Sequence, residues 1–446
     1  MPRWLGPLFA FVLLTLGPPA CVFIDDFGKF SEAPLDAAPL DAAVEATADA
    51  TSDVRPDVVP DRNPDADAMV NGDTPARPCP PGTTAVDAFC AGVTGVGTLP
   101  EGRFLHGAAP AQAPPTDLLV VSTGFQEGNF LGTPVPEAGS ILYLYDVNTQ
   151  MLQDASSATE GLGVAFRLGG TIEMLGGGPM GRIRSTVVSS DLSETAVAHV
   201  ADHGTLFGWT EIDGDPVVVG GAAGIGSATR RFRSVSYWQG GSWQLAPPLM
   251  DGRETPFVVR TSQGVVVGGG LSGPGDRPRT LSSVELYSDL ANPPSPLPNL
   301  PEARTAALAL PLQDDRFVVV GGCSSQSGEV VREALQYERF GGFRETGLWE
   351  GARAAPRYAE VEDDLFLVCG GTVVCDADPA NVAPTSRCDL FDASTGSWTR
   401  SLSMMVPRVG HSMTNLGNGR IAIVGGLQAG RIVVSSSVEV HELRRP

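Results

Sequence analysis

Phe317-Val318-Val319-Val320-Gly321-Gly322 is a short apolar run closed by two glycines, and the chain repeats it. Ile172–Leu175 precede Gly176-Gly177, Val217–Val219 precede Gly220-Gly221, and Val265–Val267 precede Gly268-Gly269. Leu365–Cys369 precede Gly370-Gly371, and Ile421–Val424 precede Gly425-Gly426. A degenerate earlier copy is Leu118–Val121, ending in Ser122-Thr123-Gly124. From Gly177 onward the second glycines are 44, 48, 53, 49 and 55 residues apart, and Gly124 lies 53 residues before Gly177. An apolar run without alternation has the character of a strand buried on both faces. The glycines permit torsions and close backbone approaches that a side chain would block. A period of this length marks a repeat architecture.

A second element follows each doublet after a variable loop. It reads Ser140–Asp146, Ser234–Tyr237, Ser283–Tyr287, Ala334–Tyr337, Cys388–Asp392 and Ser437–Val440. In three copies a large aromatic comes six or seven residues later, past a Gly-containing turn: Trp243, Phe343 and Trp398. Several units open on Pro and Arg, at Pro100/Arg103, Pro301/Arg304, Pro356/Arg357 and Pro407/Arg408. Each unit thus predicts four short strands. One such sheet cannot bury its faces alone, so copies must stack, and stacking about an axis closes a ring.

Glycine doublet, Tyr-type strand, Trp-type strand and Pro-Arg opening together resemble kelch repeats. The resemblance covers residues 92–446 and implies an all-β, kelch-type β-propeller. Seven blades are expected, with six the alternative, because copy one lacks the doublet and copy two is poor in aromatics. The last copy stops after its third strand, and Gly92–Leu99 stands just before Pro100 and Arg103, where a fourth strand belongs. That segment is expected to complete the last blade and leave no exposed sheet edge.

Upstream, residues 1–20 read as an export signal. Arg3 is followed by the apolar run Leu5–Leu16, too short to cross a bilayer as a helix, and then by small residues up to Ala20. Cys21 directly follows, and the segment resembles a bacterial lipoprotein signal, in which that Cys is acylated and becomes the first mature residue. Pro18 stands where that family commonly has Leu. Residues 21–78 are rich in Ala, Asp and Pro. Acids recur at every fourth position from Asp41 to Asp65, and Pro56, Pro60 and Pro64 interrupt any helix, which predicts a disordered, extended tether. Residues 79–91 form a Cys-bracketed lead-in.

The formal charge is −21, of which residues 22–78 carry −9 and residues 79–446 carry −13. Such a balance repels nucleic acid and anionic lipid, so contact with a membrane is expected only through the lipid anchor. Six cysteines remain beyond Cys21, and an exported chain favours disulfides. Cys79 and Cys90 bracket one loop, and Cys375 and Cys388 bracket another, so these four are the candidates. Cys323 and Cys369 are left to pair or stay free. No zinc-like spacing occurs, and neither a metal nor another cofactor is expected.

The sequence holds no convincing catalytic constellation. A copper radical oxidase built on a kelch propeller would need a Tyr, His and Cys set. Here Tyr143, Tyr145, Tyr237, Tyr287 and Tyr337 occupy the repeated strand, and His106 and His411 occupy repeat slots. His199 and His203 read as belonging to a solvated loop. Asp392–Trp398 superficially resembles a sialidase Asp-box turn but does not recur in the other copies. Loops after the doublets gather Arg182, Arg184, Arg230, Arg231, Arg233, Arg277 and Arg279, which would suit carboxylate or sulfate groups unless local acids pair with them. The expected function is therefore a monomeric, non-catalytic binding scaffold on the bacterial envelope, an outer-membrane or surface lipoprotein holding a protein or an anionic glycan. An extracellular carbohydrate-active enzyme and a purely structural envelope protein are the alternatives.

Overall fold

The computed structural model describes residues 79–445 except 80–81, 87–88, 103–105, 123, 125–139, 159–162, 178–182, 189–191, 225–227, 325, 340, 376–380 and 429–432. The signal, Cys21 and the acidic tether therefore lie outside the described residues.

The strands form an all-β propeller. Six four-stranded antiparallel blades span residues 108–158, 163–201, 208–245, 257–297, 308–348 and 357–400. The remaining place in the ring is filled by a five-stranded sheet drawn from both ends of the described chain. It contains Ser412–Gly417, Arg420–Val424 and Ser437–Arg444, then Phe89–Thr98 and Thr84–Val86. Phe89–Thr98 pairs antiparallel with Ser437–Arg444, from Cys90 opposite Arg444 to Thr98 opposite Ser437. The fourth-strand position is thus held by residues 89–98. Residues 84–86 of the lead-in add a fifth strand outside it.

The apolar runs explain the stacking. In the fifth blade, Phe317 and Val319 pack towards the fourth blade beside Phe257 and Val259. Val318 and Val320 face the other way, against Phe366, Val368 and Phe391 of the sixth. Both faces of the strand are dry, so the sequence cannot alternate. Seven such apolar clusters join the six blades and the five-stranded sheet pairwise around the whole circle. Full burial of each Val or Phe contributes up to about 1.5–3 kcal/mol relative to exposure.

From the third blade onward a glycine doublet turns the chain out of these strands, whereas in the second Gly176-Gly177 stay within the strand Thr171–Gly177, opposite Arg184 and Ile183. Gly371 has φ +95°, and a Cβ there would lie 2.5 Å from the Ala354 carbonyl oxygen. In the fourth blade the turn is made by Gly269-Gly270 rather than Gly268-Gly269. Gly268 stays in the strand opposite Phe257, whose ring occupies the space of the missing side chain.

Among the described residues three disulfides are present, Cys79–Cys90, Cys323–Cys375 and Cys369–Cys388. The expected link between Cys375 and Cys388 is corrected. Cys369 and Cys388 are direct register partners on adjacent strands, with Cα atoms 4.1 Å apart. Cys375 instead reaches back to Cys323 in the loop of the preceding blade, 5.7 Å between Cα atoms. Sequence spacing cannot show that the second and third strands of one blade bring their cysteines opposite each other.

Candidate functional site

Antiparallel order places the long loops between second and third strands, and the segments leading into each blade, on one face of the ring. The short turns lie on the other. The loop face is held by a repeated buried arginine. Arg253, Arg304, Arg353 and Arg408 are all at most 1% exposed. Their backbone carbonyls accept the N–H of Gly221, Gly270, Gly322 and Gly371 of the preceding blade, at 2.7–3.1 Å. Their guanidinium groups turn into their own blades. Arg253 donates to the Gly269 carbonyl at 2.8 Å and to Glu285 at 2.6 Å. Arg408 donates to the Gly425 carbonyl at 2.8 Å and to Glu439, and Arg353 donates to Asp389 at 2.6 Å. Arg304 bonds the Glu333 carbonyl at 3.2 Å, and burial lowers its pKa to about 10 against the pull of Glu302, Glu333 and Glu345.

This network corrects one repeat assignment. Arg357, read beside Pro356 as a unit opening, is not the counterpart of Arg304 and Arg408; Arg353 is. The usable signal was distance to the next apolar run. Arg253 and Arg353 lie 12 residues before Val265 and Leu365, and Arg304 and Arg408 lie 13 before Phe317 and Ile421. In the third blade His203 takes the equivalent place. It is fully buried, with Nδ1 2.9 Å from the Gly220 carbonyl and Nε2 2.8 Å from Ser236 Oγ. The solvated-loop reading of His203 is thereby corrected, and His199 lies within the strand Glu194–Ala201.

The loop arginines are held by local partners. Arg231 pairs with buried Glu254 at 2.9 Å and donates to the Gly273 carbonyl at 3.1 Å. Arg279 pairs with Asp251 at 2.6 Å, and Arg233 donates to the Leu249 carbonyl. Arg230 stacks 5.4 Å from the Phe232 ring, while Arg277 is exposed. Arg182 lies outside the described residues, and of Arg184 only the backbone, in the strand Ile183–Val188, is described.

At the ring's centre, around the channel a propeller leaves on its axis, a backbone ladder links the segments leading into the third to sixth blades. Thr255 N–H donates to the Leu206 carbonyl, Ala306 to Thr255 and Ala355 to Ala306, at 2.8–3.2 Å. All four are non-glycine residues with φ between +48° and +56°, a strained region tolerated where surrounding structure fixes it. Below the ladder, the innermost strands line the channel. Glu211, from the third blade, and Glu360, from the sixth, face one another closely enough that burial and then Glu360 raise the Glu211 pKa. Burial, then Asp363 and Asp364, raise that of Glu360. Tyr358 is pushed up to about 12 by burial and then by both glutamates. Arg357 opens the same strand and is exposed to solvent. His411 is 1% exposed beside it, and burial, then Arg408 and Arg357, hold its pKa far down, so it is neutral. His106 lies nearby, 3.0 Å from Ser412 Oγ.

No protein-family model matches the chain, and no curated protein matches it either.

Proposed function

We propose that this protein is an exported kelch-type propeller that acts as a rigid, non-catalytic binding module, tethered to the bacterial envelope through acylated Cys21. Three disulfides are consistent with an extracellular or periplasmic setting. A protein partner suits the loop face better than an anionic glycan, because Arg231 and Arg279 already have carboxylate partners there.

One observation carries the reading. The buried arginine network holds large apolar side chains out in water on that face. The N–H of Met250 is fixed to Glu285 at 2.9 Å and that of Met405 to Glu439 at 2.8 Å, while their side chains are 66% and 63% exposed. Val373, 52% exposed, follows the doublet of the intervening sixth blade. Exposed apolar groups on a rigid scaffold favour protein contact.

A photo-crosslinking amino acid at position 405 or 250 in cells should give one discrete adduct. Position 151, equally exposed on the opposite face, should give none. Equal labelling from both faces, or none from either, would overturn the proposal. Cys21→Ser should abolish incorporation of labelled fatty acid.

A further inference from the structure

Among the described residues, Cys323–Cys375 is the disulfide that ties two blades together; Cys369–Cys388 lies within the sixth blade and Cys79–Cys90 within the five-stranded sheet and its lead-in. Cys323 belongs to the loop after the fifth blade's doublet, in the short strand Cys323–Ser324 that pairs with Arg304–Thr305. Cys375 lies in the loop after Gly370-Gly371 of the sixth blade. Their bridge packs with Ala306, Ala354 and Ala355, against the backbone ladder on the loop face.

The seam between these blades holds without the bridge. Val318 and Val320 pack on Phe366, Val368 and Phe391, and the Ala355 N–H donates to the Ala306 carbonyl at 2.8 Å. Cys375, by contrast, depends on it. The loop is hydrogen-bonded as far as Val374. The Val373 N–H donates to the Ala383 carbonyl at 3.0 Å, and the Thr372 hydroxyl donates to the Val374 carbonyl at 3.0 Å and accepts the Val374 N–H at 3.3 Å. Among the described residues Cys375 makes no hydrogen bond, so the disulfide is what fixes it.

Access to the bridge is one-sided. Cys375 is partly exposed, whereas Cys323 is 2% exposed and Cys369 and Cys388 are fully buried. An attacking thiolate therefore meets Cys375 Sγ, and the two residues before it, Val373 and Val374, stand out in water.

We propose that Cys323–Cys375 is a reducible latch on the loop face, opened by the dithiol of another protein. One thiolate of that dithiol attacks Cys375 Sγ, the bond between the two sulfurs breaks, and Cys323 leaves as a thiolate that takes up a proton. The second thiol then displaces Cys375, which is protonated in turn. Two electrons and two protons pass to this chain, and the dithiol becomes a disulfide. Opening releases residues 373–375 from the fifth blade while the ring stays closed. That Val373 thereby leaves the docking surface rests on the function proposed above; the latch does not.

Dithiothreitol titrated into the folded protein, followed by iodoacetamide and peptide mass spectrometry, reads each bridge. Cys323 and Cys375 should be alkylated at about ten-fold lower dithiothreitol than Cys369 and Cys388. Hydrogen exchange at residues 373–374 should then rise about ten-fold, with near-ultraviolet circular dichroism and the protection of Val318–Val320 unchanged. The double variant Cys323→Ser, Cys375→Ser should exchange as fast with no reductant. Simultaneous alkylation of all four cysteines, alkylation only as the fold is lost, or unchanged exchange after opening would each overturn the latch. Crosslinking from position 405 reads the docking surface separately, so either idea can fail alone.

Discussion

Arg253 and Glu285 meet at 2.6 Å with side chains 0% and 2% exposed, a buried ion pair that clips the segment leading into a blade to that blade's third strand. Arg353–Asp389 and Arg408–Glu439 repeat it. Breaking a buried pair leaves the surviving charge without a partner, so Arg408→Met should cost about 3–5 kcal/mol. Arg304→Met should cost far less, because Leu335 occupies the position that holds Glu285, Asp389 or Glu439 in the other blades. Urea unfolding of the two variants compares them directly; losses of equal size would refute the asymmetry.

Non-reducing peptide mapping should recover Cys323–Cys375 and Cys369–Cys388, with no Cys375–Cys388 species. The bond across 52 residues constrains the unfolded chain more than the one across 19. The chain-entropy treatment assigns them about 4 and about 3 kcal/mol. Replacing Cys323 and Cys375 together with Ser should therefore lower the unfolding midpoint more than replacing Cys369 and Cys388, once the buried volume lost at the latter pair is allowed for.

Gly371→Ala and Gly396→Ala separate torsional strain from collision. Both glycines have positive φ, +95° and +71°. The torsion alone costs Ala about 1–2 kcal/mol. At Gly396 the nearest atom is a Leu312 methyl at 3.8 Å, so that figure should be the whole effect. At Gly371 the Ala354 carbonyl and the Pro356 backbone intrude, and the loss should be clearly larger. Comparable unfolding midpoints would contradict the close backbone approach.

Acid should relieve strain in the channel before it weakens the ring. Glu211 and Glu360 have folded pKa values raised above 4.5, so the folded state binds their protons more readily than the unfolded chain does. Their unfavourable contribution is present at neutral pH and fades as pH falls through the raised values. Glu211→Gln should therefore stabilise the protein at pH 7, with the gain shrinking towards pH 4.5. Glu439 behaves oppositely: burial opposes its ionisation, but His441 and Arg408 outweigh that and hold it below the usual value. Its contribution is present above 4.5 and lost as pH falls through the lowered value. Melting curves across this range distinguish the two; a Glu211→Gln gain that grew on acidification would reverse the assignment.

Deleting residues 79–98 should open the ring. Ser437–Arg444 would lose the partner strand Phe89–Thr98, and its edge would be free to pair with another chain. Size-exclusion chromatography should show oligomers or aggregates that the longer chain does not form; a cooperatively folding truncation that elutes like the longer chain would count against closure by that strand.

The repeat and its strands were legible because the physics involved is local and periodic. A doubly buried strand such as Phe317–Val320 must be apolar at every position, and a glycine turn must follow it. His203 was not legible, since a histidine can replace an arginine wherever its two nitrogens reach the same carbonyl and hydroxyl, whereas Arg353 was legible only through its distance to Leu365. Nor does Pro356-Arg357 differ on the page from Pro407-Arg408; only the pairing of Arg357 with Cys369 places it on the inner strand.

The sequence by itself determined the strand-turn unit, its repetition and therefore a closed all-β ring, because no single unit can bury both faces. Tertiary structure alone decided which cysteines meet, which arginines are neutralised, and that Glu211 faces Glu360 across the axis. Those relations join residues from about 20 to about 150 positions apart, brought together by strand pairing and by the circle, and spacing along the chain does not show which of them meet.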